Sequence, residues 1–233
     1  MQDLDIRGAG NLLGAEQSGF ISDLGYETYQ KILTEAMTEL RNESPLQPSP
    51  TGGGSQRRTP PAEGGQGETF VTDCVIESDL EMYFSELYVP NASERMLLYR
   101  ELDNIGNRTD LSTAMKQLDD YRKRLSDRFG QLPKAGEELL QVVPLRILGK
   151  QLGCEKIVLK QGRLYLYFVS NPNSPYYQSA VFGAIIDFAT QNVRRCNLRE
   201  QNGKRSMVVT DVNTIGEAVA VCQSVLPSVK LSS

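Results

Sequence analysis

Residues 43–68 divide this chain before any other feature does. The stretch ESPLQPSPTGGGSQRRTPPAEGGQGE holds five of the eleven prolines and six of the twenty glycines, and Leu46 and Ala62 are its only apolar side chains besides proline. Ordering one residue costs on the order of 1–2 kcal/mol of backbone entropy, and a segment with almost nothing apolar to bury cannot offset that cost. It reads as a flexible linker. Arg57 and Arg58 within it are read as solvating charge. The sequence therefore predicts three parts: residues 1–42, the linker 43–68, and a domain over residues 69–233.

The first part sits at the limit of about 40 residues below which a domain rarely folds unaided. It opens on D-L-D-I-R-G-A-G-N-L-L-G-A-E-Q-S-G, residues 3–19, with glycines at 8, 10, 14 and 19. That glycine density carries an entropic cost which tight turns or close backbone approach would explain. Arg7, Gln17 and the apolar pair Leu12 and Leu13 suggest a short anchored helix with a polar group at each end. A Gly-rich surface loop entering a helix satisfies the same composition. Tyr29, Ile32, Leu33, Ala36, Met37 and Leu40 then recur at three and four, predicting an amphipathic helix over 27–41. Nothing else within the first 42 residues can cover its apolar face.

The third part reads as an α+β domain. Val71 to Glu77 is rich in β-branched residues and predicts a strand, and Met82 to Pro90 is expected to be extended because Pro90 biases its predecessor away from helix. Asn91 caps a helix, with Glu94 in the capping-box position; Leu98, Leu102 and Ile105 line one face until Gly106. Thr109 or Asp110 caps the next helix, whose apolar positions Leu111, Met115, Leu118, Tyr121, Leu125 and Phe129 hold a 3.6-residue period until Gly130. Pro133 opens a third helix to Leu152, with an axis kink expected at Pro144 and Gly153 closing it. Beyond it the pattern is hairpin, helix, hairpin, helix. Lys156–Lys160 and Arg163–Val169 flank Gln161-Gly162, residues 175–191 are helical, Arg194–Glu200 and Lys204–Thr210 flank Asn202-Gly203, and residues 214–226 are helical. The expectation is three helices plus a four-stranded, mainly antiparallel sheet carrying two helices on one face.

The chemistry available is narrow. With no histidine in the chain, Ser-His, Cys-His and H-E-x-x-H sites are excluded. Cys74, Cys154, Cys196 and Cys222 are widely separated and read as buried free thiols rather than a zinc or redox site. No Walker loop occurs, and Leu13 stands where a G-x-G-x-x-G fingerprint needs its third glycine. Asp119-Asp120 and Glu137-Glu138 read as solvated helix faces. Residues 1–42 carry three cations against seven acids, and the whole chain has net charge -4, so no segment shows the basic excess of an independent nucleic-acid binder. Tyr165, Tyr167 and Phe168 resemble the aromatics of RNA-stacking sheets, but strand order and charge both argue against such a module. No apolar run approaches the roughly 20 residues that span a bilayer, and the opening residues lack a signal-like pattern, which makes a cytoplasmic location the default.

The string Asp3 to Gly19, followed by Leu24, Gly25, Tyr26 and Tyr29, resembles the translocation motif of bacterial transcription-repair coupling factors (Mfd), with a looser likeness to RecG-type DNA translocases. Three further strings resemble the C-terminal module of the same family: Leu87-Tyr88-Val89-Pro90, residues 94–102 (E-R-M-L-L-Y-R-E-L), and residues 127–133 (D-R-F-G-Q-L-P). The length that follows the motif favours the coupling factors over RecG-type enzymes. The resemblance implies that the chain is the C-terminal part of an ATP-dependent double-stranded-DNA translocase, with helicase lobes and a UvrB-like domain upstream. That parent displaces stalled RNA polymerase and recruits UvrA-dependent excision repair. ATP and magnesium would belong to the absent lobes, and the present residues would hold no cofactor or metal and no catalytic group. The resemblance further implies that Arg7 and Gln17, with Gly8 and Gly10 shaping the turn, couple nucleotide state to DNA movement. The domain 69–233 would mask the UvrA-binding face of the UvrB-like domain, with Asp127 at the contact. The family often has a second acid three residues before that position; this chain has Arg124. Two other classes stay open at this point, a free-standing adaptor binding one protein and a nucleic-acid-binding sheet.

Overall fold

A computed structural model describes residues 70–226, apart from Thr109 and Asn202. Expectations for residues 1–69, including the translocation-motif segment, the helix over 27–41 and the linker, lie outside the described residues. The elements run β1 (Val75–Ser78), α1 (Ala92–Gly106), α2 (Leu111–Phe129), α3 (Lys134–Gln151), β2 (Cys154–Lys160), β3 (Arg163–Phe168), a 3₁₀ turn (Pro175–Gln178), α4 (Ala180–Gln191), β4 (Cys196–Gln201), β5 (Lys204–Thr210) and α5 (Ile215–Val225). The class is α+β, as the sequence patterns indicate.

The sheet has five strands rather than four, in the order β1-β2-β3-β5-β4. The two hairpins are antiparallel and joined through β3 and β5, while β1 adds a parallel edge to β2, with Val75 opposite Lys156 and Ser78 opposite Leu159. The first turn works because Gln161 (φ 51°) and Gly162 (φ 69°) both take left-handed backbone, the geometry whose twist matches a two-residue hairpin. Side chains alternate across the strands. Ile76, Ile157, Leu164, Leu166, Met207 and Val209 are buried on one face, and α3, α4 and α5 pack there.

Helix α3 is the centre of the domain. Leu139, Leu140, Val142, Val143, Leu145, Ile147 and Leu148 are all buried. A helix apolar on every side has no solvent face, and α3 accordingly lies between α1 and α2 on one flank and β1, β2 and α5 on the other. Gly149 allows the closest approach: a Cβ there would stand 2.5 Å from Cys74 Sγ and 2.9 Å from Ile157 Cδ1. Arg146, buried on the same helix, holds the entry strand in place. Its Nε and Nη2 donate to Asp73 Oδ1 and Oδ2 at 2.8 and 2.9 Å, and its Nη1 donates to Asp103 Oδ1 at 2.6 Å. Burial pushes the Asp73 carboxyl upward, but Arg146, the Cys74 amide and Lys150 together outweigh it and hold the group below 3.8.

Helix limits follow their predicted caps. Asn91 accepts from the Glu94 amide at 3.0 Å, Asp110 accepts from the Ser112 and Thr113 amides, and Gly130 closes α2 at φ 85°. Pro144 lies inside α3. Three further expectations need correction. Met82 to Pro90 is not extended, because the Tyr88 and Val89 amides both donate to Ser85 O and form a turn. The helix over 175–191 is broken at Ser179, whose hydroxyl accepts from the Phe182 amide and so starts α4 afresh. Glu138 is not a solvated acid; its carboxylate accepts from the Ile215 amide at 2.8 Å, at the start of α5. The four cysteines are free and buried, and burial raises their thiols, Cys222 to about 12. No described helix is long and apolar enough to cross a membrane.

Candidate interaction surface

Three segments distant in sequence meet where α1 begins and α2 ends. Arg95, buried in the first turns of α1, reaches back to the preceding turn: its Nη1 donates to Val89 O at 2.7 Å and Pro90 O at 3.2 Å, and its Nη2 meets Glu86 Oε1 at 3.2 Å. One planar guanidinium thus satisfies two carbonyls and a carboxylate, which fixes the turn against the helix. Tyr88 in that turn faces Phe129 with centroids 5.7 Å apart, and its hydroxyl donates to Gly130 O at 3.2 Å. Phe84 stacks on Tyr99 at 5.4 Å, and its amide donates to the Tyr99 hydroxyl.

The two helices run antiparallel, fastened by two ion pairs along the half of the seam where α1 begins and α2 ends. Glu94 pairs with Arg128 and Glu101 with Arg124, while the Tyr121 hydroxyl between them donates to Leu98 O at 3.0 Å. The Glu101 hydrogen bond raises the Arg124 pKa, and burial raises those of Tyr88, Tyr99 and Tyr121. These groups are therefore held in single protonation states across the physiological range and are structural fasteners.

What remains outward is informative. Leu87, at the tip of the turn, is 98% exposed, and Leu97, between Glu94 and Glu101 on α1, is 61% exposed. Asp127 is exposed between Arg124 and Arg128, and among the described residues it forms no ion pair. Both neighbouring arginines are already committed to glutamates, which leaves Asp127 as an acid available to another molecule. Exposed leucines rimmed by charge suit a protein-docking surface. The predicted Asp127 is an exposed residue in the last turns of α2, while Arg7, Gly8, Gly10 and Gln17 lie outside the described residues. Sequence reading missed Leu87 and Leu97. Leu97 breaks the three-four spacing of Leu98, Leu102 and Ile105, and that irregularity was the available signal.

The family comparison takes in this region together with α3 and the first hairpin. A family model described as the TRCF domain matches residues 78–179, from the end of β1 to the cap of α4. The chain is 29% identical over 157 residues to the transcription-repair-coupling factor of Bacillus subtilis, a match covering 67% of this chain and 11% of that protein. The corresponding protein of Staphylococcus epidermidis is 31% identical over 157 residues (67% and 11%), and that of Helicobacter pylori is 30% identical over 155 residues (66% and 12%). The chain therefore spans little more than a tenth of the length of these relatives. A crystal structure of the C-terminal domain of transcription-repair coupling factor superposes with a TM-score of 0.52 at 13% identity, covering 67% of this chain and 95% of that one, which establishes the shared fold. The chain carries a TRCF domain and belongs to the transcription-repair-coupling factor family.

Proposed function

We propose that this chain is the non-catalytic, regulatory end of an ATP-dependent double-stranded-DNA translocase of transcription-coupled repair, and that its TRCF domain docks through the α1–α2 seam onto a UvrB-like domain of the same parent. In the docked state the domain hides that neighbour's UvrA-binding face. Undocking, when the parent engages stalled RNA polymerase, exposes it. Residues 1–42 would carry the second role, with Arg7 holding a carboxylate and a carbonyl of a helicase lobe together, Gln17 registering on backbone or DNA phosphate, and Gly8 and Gly10 shaping the turn. ATP and magnesium would be held by that parent's helicase lobes.

One observation carries the docking reading. The three segments whose sequences resemble the family's C-terminal module, residues 87–90, 94–102 and 127–133, are fastened together by Arg95, Tyr88 and the Glu94–Arg128 pair, and they leave Leu87, Leu97 and Asp127 facing outward. In the full-length parent, Leu87→Glu combined with Asp127→Lys should raise UvrA affinity, by about 5- to 150-fold if the masking contact contributes an ordinary coupling energy. Deleting residues 69–233 sets the upper limit of that gain. Unchanged UvrA binding in both variants would reject the masking role. For the other role, Arg7→Ala should spare ATP hydrolysis and abolish polymerase displacement; equal loss of both would reject coupling.

A further inference from the structure

Residues 70–226 carry equal numbers of acidic and basic side chains, yet the charges are not mixed evenly: from Cys154 to Leu226 there are eight Lys and Arg against five Asp and Glu. The excess is gathered on the sheet face opposite the helices. Strand register places Lys156, Tyr167, Ser206 and Arg199 in one row across four strands, Val158, Tyr165, Val208 and Asn197 in the next, and Lys160, Arg163 and Thr210 in a third. Arg195 completes the third row, its guanidinium clasping Thr210 O at 3.2 Å.

The acids that border this face lie at its β1 edge and are already engaged: Glu77 is committed to Lys156 at 2.7 Å, and the Asp79 carboxylate accepts from the Gln161 amide at 2.9 Å. Among the described residues Arg163, Arg194 and Arg199 form no ion pair, and all three are exposed. Together with Tyr165, Arg195 and Asn197 they line a shallow depression of about 260 Å³. The Tyr165 and Tyr167 rings stand parallel to within 13° with centroids 6.5 Å apart, and Tyr167 is 38% exposed. A domain with balanced charge has no reason of solubility to concentrate unpaired guanidinium groups around two aromatic rings. A ligand that alternates negative charge with flat rings satisfies both.

We propose that this sheet face binds a single-stranded nucleic acid, with Arg163, Arg194, Arg199 and Lys160 on its phosphates and its bases stacked on Tyr165 and Tyr167. Arginine's planar fork matches phosphate oxygens, and aromatic platforms within a basic groove are the general means of holding unpaired strands without reading sequence. An acidic peptide would answer the charge and leave the rings without a partner. A duplex would answer the charge too, but its bases are stacked within the helix, and the flat face projects no helix or ribbon into a groove. Neither kind of contact reads the 2′-hydroxyl, so DNA and RNA strands are equivalent ligands. The surface shares no residue with the α1–α2 seam, and its test is independent of the docking reading.

The experiment uses the 233-residue chain and fluorescence anisotropy with labelled oligo-dT and oligo-U of about 20 nucleotides, at a length that spans the site sizes of such platforms. Neutralising four phosphates predicts a salt slope near -3, so affinity should fall about fifty-fold between 50 and 200 mM salt. Arg163→Glu with Arg199→Glu should weaken binding more than about tenfold, and Tyr167→Ala at least about fivefold. The same Tyr167→Ala chain should bind inorganic polyphosphate as the parent does. Arg194 lies in the turn before β4, so Arg194→Glu supplies the charge test without touching a strand. Four results would overturn the proposal: no oligonucleotide binding at 50 mM salt, binding indifferent to these substitutions, equal loss of polyphosphate and oligonucleotide binding in Tyr167→Ala, or displacement by poly-glutamate at charge-equivalent concentration. The last would point to an acidic protein partner instead.

Discussion

Replacing Arg146 by methionine removes the group that ties the entry strand to the helical core, and its cost can be worked out from the surroundings. Arg146 is 8% exposed and holds two carboxylates. They are not equivalent. The Asp73 side chain is 53% exposed and can turn to water, whereas that of Asp103 is 12% exposed, and its other hydrogen bond among the described residues is a long one from Asn107 Nδ2 at 3.5 Å. Methionine fills much of the same volume, so the penalty is chiefly that of one buried, uncompensated carboxylate. Breaking a buried pair by removing one partner costs about 3–5 kcal/mol, and the partial escape of Asp73 places this case near the lower end, about 3 kcal/mol. For a domain of this size that lowers the melting temperature by roughly 6–12 °C. Urea denaturation of the chain with linear extrapolation measures it. The internal control is Arg146→Met with Asp103→Asn, which removes the stranded charge and should recover more than half of the loss. A single-variant loss under about 1 kcal/mol, or a double variant no more stable than the single, would refute the assignment of the cost to a buried carboxylate.

The same cluster sets an acid response. Because the folded-state pKa of Asp73 lies below 3.8, its contribution is fully present above that value and is lost as pH falls through the lower folded value. Asp73→Asn should therefore be less stable than the parent near neutrality and show a shallower decline below 3.8; an unchanged slope in acid titration by circular dichroism counts against the pairing. Two glycines in helices should respond in opposite directions to alanine. Gly183→Ala meets nothing within 4 Å and should stabilise by up to about 1 kcal/mol. Gly149→Ala would press a methyl group against Cys74 and Ile157 and should destabilise by about 1–3 kcal/mol. Thermal melts of the two variants decide it, and a shift in the same direction for both would be inconsistent with the packing described.

The parts of the fold that could be read from the sequence are those specified locally. Asn91, Asp110 and Gly130 mark helix ends because an orphan amide or a left-handed residue is settled within one turn of chain. Gln161-Gly162 marks a hairpin for the same reason. The parallel pairing of β1 with β2 joins Val75 to Lys156, across three helices, and no short-range pattern reports it. Met82 to Pro90 misled because apolar residues spaced by two also suit a turn in which Met82, Phe84 and Tyr88 dip into the core while Leu87 is left outside. The grouping of cations on one sheet face was not legible for a different reason. A segment average near zero conceals its segregation onto one sheet face, which becomes visible only when strand order brings Arg163 and Arg199 to either side of β5.

Core and proposed docking surface differ in the pattern they leave in the sequence, and the difference supplies a test of the surface itself. Core side chains satisfy one another, so they recur with the period of the element that bears them. Residues retained for a partner gain nothing within the domain and show up as departures from that order. Leu87 is nearly fully exposed, and among the described residues Asp127 forms no ion pair, standing between two committed arginines. If they serve only this domain, replacing them should cost stability. If they serve the proposed partner, Leu87→Ser should leave the domain's stability within about 0.5 kcal/mol of the unsubstituted chain, as surface substitutions ordinarily do, while raising UvrA binding by the full-length protein as the proposed masking requires. A chain destabilised by several times that amount with UvrA affinity unmoved would return Leu87 to the fold and remove it from the interface.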